Sequence, residues 1–178
     1  NNYEIIEEIF LEADKKVNLE KFNTFLSGTT CVLVIQIENH LICANCGDSR
    51  AILIVNDNKV IPLSDDCKPD LTEEKKRIIN YGGCVERTGD EFGEEVGPYR
   101  VWEGDKDYPG LAMSRSIGDR AAKKVGVIAN PLFKEYTIDC DSKYLVVCSD
   151  GIWEFLSNEE VMEISNIYYL KNDASGLC

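Results

Sequence analysis

The sequence predicts an α+β fold in which short antiparallel strands build the core and amphipathic helices pack against them. Two observations carry this. Four strand-like apolar runs follow one another between Cys31 and Leu63 across turns too short to hold a crossover helix, which points away from a doubly wound parallel sheet. Helical periodicity then flanks those runs on both sides. With 178 residues, 44% hydrophobic and 29% charged, the chain has enough material for one domain with a real core.

The first helix is expected from Tyr3 to about Val17. Tyr3, Ile6, Phe10, Ala13 and Val17 share one face there, and Glu4, Glu7, Glu8, Glu12 and Asp14 occupy the others. Ser27-Gly28-Thr29-Thr30 interrupts it. The strand-like runs are Cys31–Ile37, Leu41–Cys46, Ala51–Val55 and Lys59–Leu63, with turns at Glu38-Asn39 and Asn56-Asp57-Asn58, and they read as one antiparallel meander. Asn45-Cys46-Gly47-Asp48-Ser49-Arg50 breaks the apolar pattern, either as a hairpin turn or as a bulge that aims Asp48. A second helix follows Pro69, with Asp70 and Glu73 at capping-box spacing and Gly82-Gly83 closing it. Residues 86–110 are rich in glycine and charge and carry little periodicity, so an irregular functional or surface segment is expected.

Leu111–Asp119 brings another Gly-Asp pair, and Arg115 with Asp119 reads as a structural ion pair. Phe133–Ile138 and Tyr144–Cys148 are the last strands, joined by a turn at Asp139–Ser142. Leu145–Cys148 has the look of a strand covered on both faces. It runs into Asp150, with Gly151 allowing a sharp turn and Ile152, Trp153, Phe155 and Leu156 anchoring it. A rigidly held, half-desolvated carboxylate at that point suits a hard cation such as Mg²⁺ or Mn²⁺. Asp-Gly is equally a common turn dipeptide. Ser157 and Glu160 cap the final helix.

A net charge of −13 argues against nucleic acid or an anionic membrane as partner, since both ask for a basic surface. No window approaches the run of about 18 apolar residues that a membrane span needs. The eight cysteines sit mostly in apolar, strand-like contexts, which predicts free thiols in a reducing compartment, cytoplasmic or nuclear. Cys43 and Cys46 form a C-x-x-C within a strand, where residues three apart point to opposite faces, so zinc or redox chemistry is not expected there. The sequence begins without Met, which suggests a piece of something longer.

Several stretches, in order, resemble the metal-dependent serine/threonine protein phosphatases of the PP2C (PPM) family. They are Ser27-Gly28-Thr29-Thr30; Ala44–Ala51; Leu63–Asp70 leading to Glu74, Arg77-Ile78 and Gly82-Gly83; Leu111–Asp119; and Cys148–Trp153. The resemblance implies an α/β/β/α sandwich, two antiparallel sheets flanked by helices, here as a single incomplete domain over 1–178 with 86–110 as a flap-like insertion beside the active site. It implies hydrolysis of phosphoserine and phosphothreonine in phosphoprotein substrates by a metal-activated water, with Mg²⁺ or Mn²⁺ in a binuclear site of the complete domain. Asp150 matches a ligand to a catalytic metal, and Asp48 an acid at an additional, weaker metal. Glu154 stands where many members have Asp.

The family's N-terminal Asp-Gly-His stretch and its late Asp-Asn motif have no counterpart in this sequence, and the single His40 falls in a predicted turn. The 178 residues alone are therefore expected to be inactive. Bare sheet edges are expected to invite strand exchange or edge-to-edge dimers. The alternatives are a pseudophosphatase or regulatory scaffold on the same fold, and a Ca²⁺-binding domain, which accounts for none of the ordered stretches.

Overall fold

The computed structural model describes residues 1–104 and 106–178, without the side chain of Asp57. Helix α1 (Asn2–Leu19) precedes β1 (Gly28–Thr29), β2 (Cys31–Ile37), β3 (His40–Cys46), β4 (Arg50–Val55) and β5 (Lys59–Pro62). Next come α2 (Thr72–Asn80), β6 (Cys84–Gly89), β7 (Glu95–Trp102), β8 (Pro109–Leu111), β9 (Ile117–Gly118) and α3 (Arg120–Lys123). The chain continues with β10 (Leu132–Thr137), β11 (Ser142–Cys148), α4 (Asp150–Trp153), α5 (Asn158–Tyr169) and α6 (Ala174–Leu177).

Side-chain alternation along β3 and β4 sets the architecture. Leu41 and Cys43 of β3 pack with Ala51, Leu53 and Val55 of β4 and with Leu63, filling the space between two sheets. The opposite face of β3, with Ile42, Ala44 and Cys46, receives Ile6 and Phe10 of α1. The opposite face of β4, with Ile52 and Ile54, receives Trp153 and, from α5, Val161 and Met162. Strands buried on both faces need a continuous apolar run, which these two have. One sheet has the order β10-β3-β2 and the other β11-β4-β5, with all pairings antiparallel. Helix, sheet, sheet and helix stack in that order, as an α/β/β/α sandwich. Cys43 faces the inter-sheet core and Cys46 the helix layer, as the period of two requires.

Four expectations change. The four runs form two hairpins in two different sheets, not one meander, because the chain passes from one sheet to the other between β3 and β4. Residues 86–110 are not irregular: β6, β7 and β8 form their own antiparallel sheet, although Asp105 lies outside the described residues. Val85 and Val101 are its buried contacts with Ile78 of α2, so most of its length shows no apolar alternation to read. Asp70 and Glu73 form no capping box, because α2 starts at Thr72 with Leu71 as its cap residue. Ser157 and Glu160 do form one on α5, each side chain accepting from the other's backbone N–H.

The fourth change concerns β11. It pairs with β4 alone among the described strands, and only Val146 of its centre is buried. Leu145 and Val147 stand opposite Leu53 and Ala51 on the inter-sheet side yet remain 40% and 45% exposed. The strand expected to be covered on both faces is an edge strand covered on one.

Candidate active site

The corner between β3 and β4 is fixed by backbone geometry. Gly47 sits at φ +117°, a region that side chains rarely adopt, and a Cβ there would lie 2.4 Å from Thr30 Cγ2. The turn is neither hairpin nor bulge; it carries the chain between sheets and presents Asp48. Asn45 Nδ2 donates to the Gly47 carbonyl at 3.0 Å and to that of Asp65 at 2.8 Å, and Cys67 N–H donates to the Gly47 carbonyl at 2.9 Å. These bonds tie the segment 64–69 to the corner. Gly47→Ala should cost about 2–5 kcal/mol, from strain plus overpacking. The check is a thermal melt against Gly89→Ala, where no atom lies within 4 Å of the added carbon and little change is expected.

Asp48 lines a cleft of about 600 Å³ together with Arg50, Asp66, Lys68, Arg100, Asp150 and Glu154, with Trp153 in its wall. Arg50 makes a bidentate pair with Asp66 at 2.9 and 2.8 Å, donates to Asn158 Oδ1 at 2.6 Å and lies 5.1 Å from the Trp153 ring centroid. This clamp joins β4, the segment 64–69 and the start of α5 under the cleft. Trp153 is further anchored by its indole N–H, which donates to the Cys148 carbonyl at 2.8 Å. Asp150 is the first residue of α4, so this anchor fixes its backbone. Its carboxylate is exposed rather than half-desolvated, because β11 ends at an open edge.

Charge in the cleft is unevenly compensated. Asp66 has Arg50, and Asp48 has Lys68 at 2.6 Å. Asp150 and Glu154 have no side-chain hydrogen bond or ion pair among the described residues. The Arg100 guanidinium, carried by β7, donates to the Gly110 carbonyl at 2.7 Å and meets no carboxylate among the described residues. The cleft thus carries two unmatched carboxylates and one guanidinium that meets no carboxylate among the described residues.

Asp119 stands apart from this cleft. It is buried beside Gly28, where β1 and β9 pair, and burial pushes its carboxyl above the usual range. Arg115 does not pair with it. Its guanidinium instead binds Glu74 of α2, with Nη2 at 2.7 Å and Nε at 3.0 Å, because α2 brings a buried carboxylate closer than the chain neighbour.

The protein phosphatase 2C family model matches residues 2–169. The chain belongs to the protein phosphatase 2C family. It is 44% identical over 142 residues to "Probable protein phosphatase 2C 73" of Oryza sativa subsp. japonica, covering 78% of this chain and 33% of that protein. It is 39% identical over 168 residues to "Probable protein phosphatase 2C 61" of Arabidopsis thaliana, covering 90% and 50%. The chain thus spans a third to a half of these relatives. The same fold is seen in a serine-threonine phosphatase 2C from Toxoplasma gondii, with a TM-score of 0.78 at 21% identity over 98% of this chain and 57% of that one.

Within this phosphatase 2C chain the sequence reading had singled out Asp48, Asp150 and Glu154, and the structure places all three on one cleft. Among the described residues no three His, Cys, Asp or Glu side chains are gathered closely enough to hold a metal ion by themselves. The donor set nevertheless fits a hard cation: all oxygen, two carboxylates unmatched, and Asp48 Oδ1 buried with no hydrogen-bond partner. Sequence reasoning missed Lys68, Arg100 and the Arg50–Asp66 clamp. Lys68 and Asp66 lay inside the stretch Leu63–Asp70, and their charges were the available signal. Arg100 was hidden in a segment read as irregular.

Proposed function

We propose that the protein containing this chain is a protein serine/threonine phosphatase that uses Mg²⁺ or Mn²⁺ to hydrolyse phosphoserine and phosphothreonine. The reading is carried by the cleft in which Asp48, Asp150 and Glu154 face Arg100. When bound, the cations would make a water nucleophilic at neutral pH and offset phosphoryl charge. The chain's own residues hold and orient. Asp150 and Glu154, at the two ends of one turn of helix, offer carboxylates toward the cleft, and Asp48 offers one from the opposing corner. Arg100 offers N–H groups that match phosphoryl oxygens in a planar fork. Strands β7 and β8 line that side through Pro98, Arg100, Gly110 and Leu111, which supports a role for their sheet in what polypeptide can approach. Cys43, Cys46 and Cys67 are poorly suited to act as nucleophiles: all three are buried, and burial pushes their thiols up to about 11, about 12 and about 11.

All eight cysteines are free, which supports a reducing location, the cytoplasm or nucleus. The net charge of −13 argues against nucleic acid as a partner, which asks for a basic surface.

The 178 residues alone are proposed to bind metal weakly and to turn over no phosphoprotein, since holding two divalent cations takes more carboxylates than this cleft supplies. The test is hydrolysis of a phosphothreonine peptide by the 178-residue chain and by a chain extended to the length of its relatives. Mn²⁺-dependent turnover, stopped by a chelator, is expected of the extended chain only. Its absence from a folded extended chain would favour a binding scaffold on the same fold.

A further inference from the structure

The Asp48 carboxylate is held in an asymmetric way. Its side chain is 5% exposed, whereas that of its partner Lys68 is 37% exposed. Oδ2 accepts from Lys68 Nζ at 2.6 Å, and Oδ1 is buried with no hydrogen-bond partner among the described residues. A buried carboxylate oxygen left without a donor is unfavourable unless further positive charge reaches it. The backbone that carries Asp48 is held in place, since the Gly47 carbonyl accepts from Asn45 Nδ2 and from the Cys67 N–H. Lys68 is different: its backbone is fixed by the bonds around Cys67, but its charge rides on a flexible four-carbon stem at the cleft side of the pair. The ammonium therefore covers half of a site that a divalent ion with its waters could fill completely.

We propose that Lys68 is a built-in counter-ion that occupies the Asp48 position in competition with divalent cations, so that a cation binds there only by displacing it. The inference rests on the reading of Asp48 as a cation ligand. Lys68 then sets how weakly the cation is held. Its released ammonium stays in the cleft that Arg100 also lines, so cation binding frees a second positive group for an incoming phosphoryl oxygen. Binding of cation and of anion become coupled through one side chain.

The test titrates Mn²⁺ alone into the 178-residue chain and follows free Mn²⁺ by electron paramagnetic resonance, with circular dichroism confirming the fold of each variant. Lys68→Met and Lys68→Gln should each tighten binding about tenfold or more, since the competing charge is gone. Asp48→Asn should lose the site, and Lys68→Met combined with Asp48→Asn should not recover it. A second measurement needs no variant in the assay: the Lys68 ammonium resonance of the unaltered chain, assigned with Lys68→Arg, should shift or vanish as Mg²⁺ is added. Affinities within twofold of the unaltered chain in both neutral variants, or a Lys68 resonance unmoved at saturating Mg²⁺, overturn the proposal. If Asp48→Asn leaves Mn²⁺ binding unchanged, the assignment of Asp48 as a ligand fails instead. If only the Lys68 variants are without effect, the competition alone fails.

Discussion

Glu74→Ala is expected to remove about 3–5 kcal/mol of stability, enough to leave the chain largely unfolded if its total is near the low end of the usual 5–15 kcal/mol. The Glu74 side chain is 5% exposed and accepts from Nη1 and Nη2 of Arg77 at 2.7 Å, from Nη2 and Nε of Arg115 at 2.7 and 3.0 Å, and from the Ser114 hydroxyl at 2.5 Å. Arg77 also donates to the Gly126 and Ser114 carbonyls, and Arg115 to that of Asn130. One carboxylate thereby joins α2 to the segment after β8 and to the loop after α3. Its removal leaves two mostly buried guanidiniums without a counter-charge, which is the costly way to break such a network.

The same residue gives a pH dependence of definite sign. Burial works to raise the Glu74 carboxyl, but the hydrogen bonds from Arg77, Arg115 and Ser114 outweigh it and hold the group at about 2. A group depressed in the folded state stabilises fully above its unfolded value, near 4.5, and loses that contribution as pH falls toward the folded value. The loss from Glu74 should approach about 3 kcal/mol between about pH 5 and pH 2. Urea midpoints at pH 7, 4 and 2.5 check it. In Glu74→Gln, lower in stability throughout, that share of the acid sensitivity should be gone.

How far the sequence foretold this molecule follows from what each residue has to do. Strands β2 to β5 were legible almost to the residue, because β3 and β4, buried on both faces, demand continuous apolar runs, and the partly buried edge strands β2 and β5 carry β-branched and aliphatic runs beside them with polar turns between. Their distribution over two sheets was not, since nothing in Gly47-Asp48-Ser49 distinguishes a corner from a hairpin until Thr30 is seen to fill the space where a Cβ would go. The sheet β6-β7-β8 stayed hidden because backbone pairing holds it, with few buried side chains. Arg115 was assigned to Asp119 because proximity in sequence is visible and the approach of α2 is not. Asp48 and Asp150 were legible as short polar breaks at the ends of apolar strands, whereas Glu154 was named only through the family resemblance. Lys68 and Arg100 were missed because charge, the one signal they give on a loop or an exposed strand, assigns no role until its neighbours are known.

The largest effect on activity is expected at Asp150. Its position is determined by elements that do not depend on its carboxylate. The Trp153 indole bond to the Cys148 carbonyl, the packing of Trp153 with Ile52, Ile54 and Val161, and the bond from Glu154 N–H to the Asp150 carbonyl at 2.8 Å all survive substitution of the side chain. The carboxylate itself makes no side-chain contact of that kind among the described residues. Asp150→Asn is isosteric, so the fold should be unchanged, with stability within about 0.5 kcal/mol, as for a surface site. What it removes is a full negative charge facing the cleft. Loss of groups that only orient a metal ligand costs 10–100-fold, so loss of a ligand itself should cost at least about a hundredfold in turnover.

The deciding measurement is Mn²⁺-dependent turnover of a phosphothreonine peptide by the extended chain carrying Asp150→Asn, beside the unaltered extended chain, with melting curves recorded for both. Equal melting curves and a turnover reduced at least about a hundredfold at every Mn²⁺ concentration are predicted. Equal melting curves with near-normal turnover would contradict the assignment of this cleft as the metal-dependent phosphatase site.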